Sequence, residues 1–89
     1  MTVLQHPKAQ ADILYWFDTD KRTLGKILNM VKELTRTPYE GSGQPEPLKH
    51  HLTGFWSRRI DKEHRLVYKY DETISRIEIV SCRGHYTDL

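Results

Sequence analysis

The chain changes texture once, at Thr37-Pro38. Ahead of that point Leu24, Ile27, Leu28, Val31 and Leu34 recur at the spacings of one apolar helical face and predict a helix over residues 20–35. Thr19 or Asp20 supplies an N-cap oxygen. The proline lacks an N–H and pushes the residue before it out of helical geometry, which stops the helix near Arg36. Upstream, Ala9, Ile13 and Phe17 with Leu14 repeat at helical spacing, and Phe17-Asp18-Thr19-Asp20 reads as a break, so the N-terminal half predicts a helical hairpin. Tyr15, Trp16 and Phe17 are consecutive and cannot all face one core. One of them is expected at the surface, at a protein interface.

Beyond Thr37-Pro38 the helical period is gone. Residues 38–47 hold Gly41, Gly43, Pro45 and Pro47 without periodicity, which is loop chemistry. Residues 48–52, 55–60, 65–70 and 74–83 are β-branched and aromatic stretches joined by Thr53-Gly54, Asp61-Lys62-Glu63 and Asp71-Glu72. Connections this short imply antiparallel hairpins. With a short first strand over residues 2–5, the expected fold is α+β: two N-terminal helices packed on a curved, mainly antiparallel sheet of four to five strands. The 89 residues are read as one domain, 1–89, near the size at which a single core still suffices.

Alternation places Phe55, Ser57 and Arg59 on one face of the second stretch and Trp56, Arg58 and Ile60 on the other. In the third stretch Leu66, Tyr68 and Tyr70 form the more apolar face, so Arg65 is expected to point away from the helices. In the last stretch Ile77, Ile79, Ser81, Arg83 and His85 share a phase unless a bulge inverts it. Two helices on one face leave the other free for a ligand.

Composition narrows the function classes. No apolar run approaches the roughly 18 residues of a membrane span, and the N-terminus lacks a basic segment followed by an apolar one, which predicts a cytosolic protein with no membrane partner. Cys82 is the only cysteine, so neither a disulfide nor a cysteine-rich zinc cage is available, and a small buried hydrophobe is its expected role. His50, His51, His64 and His85 with Cys82 raise a metal alternative, but adjacent histidines on a strand point to opposite faces and no paired-ligand spacing accompanies them. No metal is expected. A net charge of +2 does not by itself signal nucleic acid.

Three residue types in the C-terminal half match the needs of phosphodiester cleavage: a base for a hydroxyl proton, an acid for the leaving oxygen, and a cation against phosphate charge. Glu46 lies between two prolines, a stiff context that fixes a carboxylate. Lys49, Arg58, Arg59, Lys62 and Arg65 cluster on adjoining strands. His85 ends the last strand, and a histidine with its ordinary pKa of about 6.5 can donate a proton near neutrality. Singly, each also fits a blander role: a solvated loop acid, a solvated face of alternating charge, an exposed terminal histidine.

The runs Pro38-Tyr39-Glu40-Gly41-Ser42-Gly43-Gln44-Pro45-Glu46-Pro47-Leu48-Lys49-His50, Gly54-Phe55-Trp56-Ser57-Arg58-Arg59-Ile60 and Glu63-His64-Arg65-Leu66-Val67-Tyr68 resemble the YoeB/Txe toxins of the RelE superfamily. Tyr15-Trp16, Thr19-Asp20-Lys21-Arg22 and Cys82-Arg83-Gly84-His85-Tyr86 extend the resemblance over nearly the whole chain. It implies a microbial-ribonuclease-like fold and the toxin of a type II toxin–antitoxin system. That toxin is a metal-independent, cofactor-free endoribonuclease that cuts mRNA in the ribosomal A site of the bacterial cytoplasm, held inactive by a cognate YefM/Phd-type antitoxin. By the same resemblance Glu46 is the general base, Arg65 the phosphate-stabilising cation and His85 the general acid. Lys49, Arg59 and Tyr86 match supporting positions, and a homodimer is implied. Two departures stand out. Gly84 replaces an aromatic residue and is expected to loosen the backbone before His85. Thr87-Asp88-Leu89 follows the usual terminal tyrosine and moves the terminal carboxylate away. The alternative they raise is a weakened module that binds antitoxin or ribosome without cleaving.

Overall fold

The computed structural model describes residues 1–89. Its elements are β1 (Thr2–Gln5), α1 (Pro7–Thr19), α2 (Lys21–Leu34), β2 (Glu46–Pro47), β3 (Trp56–Arg59), β4 (Arg65–Asp71) and β5 (Arg76–Ser81), with short 3-10 helices at His50–Leu52 and Tyr86–Asp88. The five strands form one mixed sheet in the order β1-β5-β4-β3-β2; β1 runs parallel to β5 and every other pair is antiparallel. This is the expected α+β architecture.

Pro7 occupies the first turn of α1, where its missing N–H costs nothing. The buried face of this helix is Ala9, Asp12 and Trp16, with Ile13 partly buried against them. The expected Phe17 and Leu14 stripe is corrected: both are exposed, at 53% and 64%. A polar anchor sets the rotation. Asp12 Oδ2 accepts the Cys82 N–H at 3.0 Å and Trp16 Nε1 donates to the Cys82 carbonyl at 2.9 Å, so the helix is clamped to the end of the sheet by two hydrogen bonds.

Asp20 caps α2 by accepting the Thr23 N–H at 3.1 Å and its hydroxyl at 2.7 Å. Ile27, Met30 and Leu34 are buried, Leu24 and Val31 pack beside them, and Leu28 faces solvent. The core lies between these faces and one side of the sheet, where Ile60, Leu66, Tyr68, Ile77, Ile79 and Cys82 complete the cluster.

Two strand expectations are corrected. Residues 48–52 do not form a strand: His50 takes a left-handed φ of 58°, and the Leu52 and Thr53 N–H groups turn back to the Lys49 and His50 carbonyls at 3.1 Å, leaving no ladder to extend. The strand sits earlier, at Glu46-Pro47, inside the segment expected to be all loop, with Glu46 paired to Ser57 and Pro47 to Trp56. Pro47 at this edge strand loses no ladder bond that a central strand would need. In β5, Val67 pairs with Ser81 but Tyr68 pairs with Ile79, so Val80 is an extra residue in a bulge. The phase of the chain inverts there, and Cys82 joins Ile77 and Ile79 in the core cluster while Ser81 does not.

Candidate functional site

The sheet face turned away from the helices carries the candidate site. Glu46, Ser57, Val67 and Ser81 form a row across four strands by register. Arg65 lies two residues before Val67, opposite Arg59, so Glu46 on β2 and Arg65 on β4 flank β3. Their side chains meet over it: Arg65 Nη1 donates to Glu46 Oε1 at 3.3 Å. Ser57 beneath is small and fully buried, which lets the two approach. The Arg65 side chain is 16% exposed and that of Glu46 48%, so the carboxylate stays open to solvent while the guanidinium is held.

The guanidinium also lies 5.7 Å from the centre of the Tyr86 ring, and Tyr86 stacks on His85 with centroids 4.2 Å apart. Glu46, Arg65, Tyr86 and His85 are therefore one continuous chain of contacts. His85 Nδ1 accepts the Thr87 N–H at 3.3 Å and lies 3.1 Å from the Thr87 hydroxyl, which in the neutral ring puts the proton on Nε2. Lys49 lines a cleft of about 440 Å³ together with Glu46 and Tyr86, and its walls run along the His50–Leu52 helix to Thr87. Arg59 is exposed beside Arg65 and its N–H is tied to the Gly43 carbonyl at 2.7 Å.

Backbone hydrogen bonds hold the tail that carries His85. Gly84 has φ 84°, donates its N–H to His64 Nδ1 at 2.9 Å and accepts the Arg65 N–H at 2.9 Å. A Cβ here would sit 2.9 Å from Asp88 Oδ2, so glycine suits both the left-handed backbone and the space. Asp88 in turn accepts the His85 N–H at 2.9 Å, closing a reciprocal cap on the terminal 3-10 helix. The Leu89 carbonyl oxygen lies 3.1 Å from His51 Nε2, joining the chain end to the cleft wall.

Of the five clustered cations, Arg58 does not belong to the site. It is fully buried on the helix side, where its guanidinium donates to Glu33 Oε1 at 2.5 Å and to the carbonyls of Thr37, Glu40 and Ser42. The Ser42 N–H, ahead of the Ser42 hydroxyl and Arg58, holds the Glu33 carboxyl below its ordinary range despite partial burial. Burial pushes the Tyr68 phenol up, against the opposing pull of Arg58. Sequence reasoning missed Arg58 and His64. Alternation sets Trp56, Arg58 and Ile60 on one phase, but both faces of that strand are mixed and do not fix which is core; for His64 no local signal exists, because its partner is twenty residues away.

Cys82 is buried, and burial together with the nearby Asp12 charge pushes its thiol up to about 12. The structure gathers no three His, Cys, Asp or Glu side chains that could hold a metal. No helix is long and apolar enough to cross a membrane.

Two helices packed on a mixed five-stranded sheet are the architecture of the RelE-like toxins. The family model for the YoeB-like toxin of bacterial type II toxin–antitoxin systems matches residues 5–86, and the chain belongs to this family. It is 51% identical over 86 residues to Toxin YoeB of Escherichia coli K12, covering 97% of this chain and 100% of that one. The YoeB/ParE toxin from Agrobacterium tumefaciens superposes with TM-score 0.93 at 41% identity, over 97% of this chain and 100% of that one. Staphylococcus aureus YoeB, 42% identical over 97% of this chain and 98% of its own, has been solved as a heterotetramer with YefM, TM-score 0.86, and as a dimer, TM-score 0.87.

Proposed function

We propose that this chain is a metal-independent endoribonuclease that cuts mRNA in the ribosomal A site, in the bacterial cytoplasm, and that a YefM-type antitoxin silences it. Glu46 takes the proton of the 2′-hydroxyl, Arg65 stabilises the charge that builds on the phosphorane, and His85 protonates the departing 5′-oxygen. The products are a 2′,3′-cyclic phosphate, or the 3′-phosphate formed by its hydrolysis, and a free 5′-hydroxyl.

The observation that carries this reading is the contact chain from Glu46 through Arg65 and Tyr86 to His85. A base and an acid must flank the phosphate with a cation between them, and that is the order in which these side chains follow one another. Arg65 spends one N–H on Glu46 and keeps its others for phosphate oxygens, which a planar guanidinium grips bidentately. The Nε2–H tautomer of His85 presents its proton away from Thr87, and the Thr87 hydroxyl can accept a proton from Nδ1 when the ring is charged. Lys49 and Arg59 add positive charge around the cleft. With a net charge of only +2, the protein relies on ribosomal RNA and tRNA to present its substrate.

Leu14 and Phe17, exposed one turn apart on α1, supply an apolar patch for a homodimer. The hydrogen bonds that fix Gly84 weigh against the weakened binding module. Induced expression separates the two readings: the enzyme arrests growth and leaves mRNA cut at ribosome-occupied codons, whereas the module leaves mRNA intact. In a reconstituted ribosome assay Glu46→Gln, Arg65→Met and His85→Gln should each lose about 10²-fold or more in cleavage. Full activity in all three would refute the assignment.

A further inference from the structure

A second groove, of about 1020 Å³, lies between α2 and the β3–β4 turn. Arg22 and Lys26 line it from the helix, Arg59 and Lys62 from the sheet and the turn. None of the four is ion-paired. Lys26 Nζ donates only to the Ile60 carbonyl, so its charge is oriented but not compensated. The two carboxylates in the same walls are already committed: Asp61 Oδ1 accepts the Glu63 and His64 N–H groups at 2.8 Å, and Glu33 is held by Ser42 and Arg58. With Glu33 paired to Arg58, four cations stand against the one remaining carboxylate charge of Asp61, and this excess of positive charge around one concavity makes a site for a polyanion.

We propose that this groove binds the phosphate backbone of the RNA strand on one side of the scissile phosphate; the inference rests on the ribonuclease reading and extends it. Arg59 makes the connection, because it lines the groove and stands opposite Arg65 in the β3–β4 register. A strand whose phosphate is gripped by Arg65 passes Arg59 on its way out. The other anionic occupant is the acidic segment of an antitoxin, and the lining disfavours it. Such a segment folds on binding by inserting apolar anchors, and the hydrophobic lining residues Met30 and Ile60 are 4% and 1% exposed. Phosphate contacts need no apolar purchase and carry no sequence information, which suits a surface that follows any message.

The test is a salt titration of binding to a single-stranded, fully 2′-O-methyl RNA oligonucleotide, which lacks the 2′-hydroxyl nucleophile. Fluorescence anisotropy compares the wild type with an Arg22→Gln/Lys62→Gln variant and with a control, Lys32→Gln/Arg36→Gln, that removes the same charge elsewhere on the exposed surface. The groove predicts roughly tenfold weaker binding at low salt for the first variant. Its log–log salt slope should be shallower by about 1.4, or about 0.7 per lost phosphate contact. The control should keep the wild-type slope. A wild-type slope in the groove variant, an equal loss in the control, no binding by the wild type, or a loss confined to antitoxin binding would each overturn the proposal. Groove-dependent binding by a wild type that leaves ribosome-bound mRNA uncut would confirm the groove and refute the ribonuclease reading.

Discussion

His64 Nδ1 accepts the Gly84 N–H at 2.9 Å, and this contact fixes where the terminal histidine stands. The imidazole is itself held edge-on against Trp16, with ring centres 4.8 Å apart, and Trp16 donates to the Cys82 carbonyl two residues before Gly84. The tail is thus tied to α1 and to the start of β4 before it reaches His85.

Replacing His64 therefore separates packing from the acceptor. His64→Leu leaves the Gly84 N–H unpaired and is expected to cost about 1–2 kcal/mol in stability and to depress cleavage. His64→Asn offers an acceptor close to the position of Nδ1 and should restore most of the activity. Thermal unfolding and ribosome-dependent cleavage measured on both variants check this; equal loss of activity in the two would deny the hydrogen bond its role.

Neighbouring arginines on opposite faces of β3 should behave in opposite ways. Arg58→Met strands the Thr37, Glu40 and Ser42 carbonyls and should destabilise the fold by about 3 kcal/mol in urea unfolding. Arg59→Met, at an exposed position, should stay within about 0.5 kcal/mol of the wild type and lose cleavage instead.

Part of this division was legible in the residues. The α2 stripe apart from Leu28, its Asp20 cap, the stop at Thr37-Pro38 and the faces of β4 follow from periodicity and local chemistry, which a sequence displays directly, whereas the mixed faces of β3 did not show which was core. The rotation of α1 was not legible, because Asp12 and Trp16 bind the Cys82 backbone, a contact about seventy residues away. The turn at His50–Leu52 hid behind residues of strand-like composition, since a left-handed φ at a histidine has no compositional mark. Glu46 and His85 stood as isolated residues in the sequence; it is the β2–β3–β4 register and the stacked Tyr86 that make them neighbours of Arg65. Gly84, read as a loosening, is instead hydrogen-bonded through both its N–H and its carbonyl.

Acid should unfold the protein partly through Glu33. Its carboxyl, held down first by the Ser42 N–H, titrates below the ordinary 4.5, so the stability it contributes is present above that value and is lost as pH falls through the depressed one. Glu33→Gln should flatten the acid limb of a stability–pH curve below about pH 4.5 relative to the wild type. Parallel acid limbs would place the coupling elsewhere.

The Cys82 thiol, pushed up to about 12 by burial, should resist alkylation in the native protein at neutral pH and react once the chain is unfolded in denaturant. Rapid native-state labelling, followed by mass spectrometry, would contradict the buried placement.

The most direct test of the central claim reads the ends of the cut message. Purified protein is mixed with ribosomes carrying an mRNA in the A site, using either a normal scissile nucleotide or its 2′-deoxy counterpart. In-line attack by the 2′-oxygen, with Glu46 as base and His85 as acid, predicts cleavage of the first to a 2′,3′-cyclic phosphate or 3′-phosphate and a 5′-hydroxyl, and no cleavage of the second. Cleavage of the deoxy substrate, or a 5′-phosphate product, would contradict it.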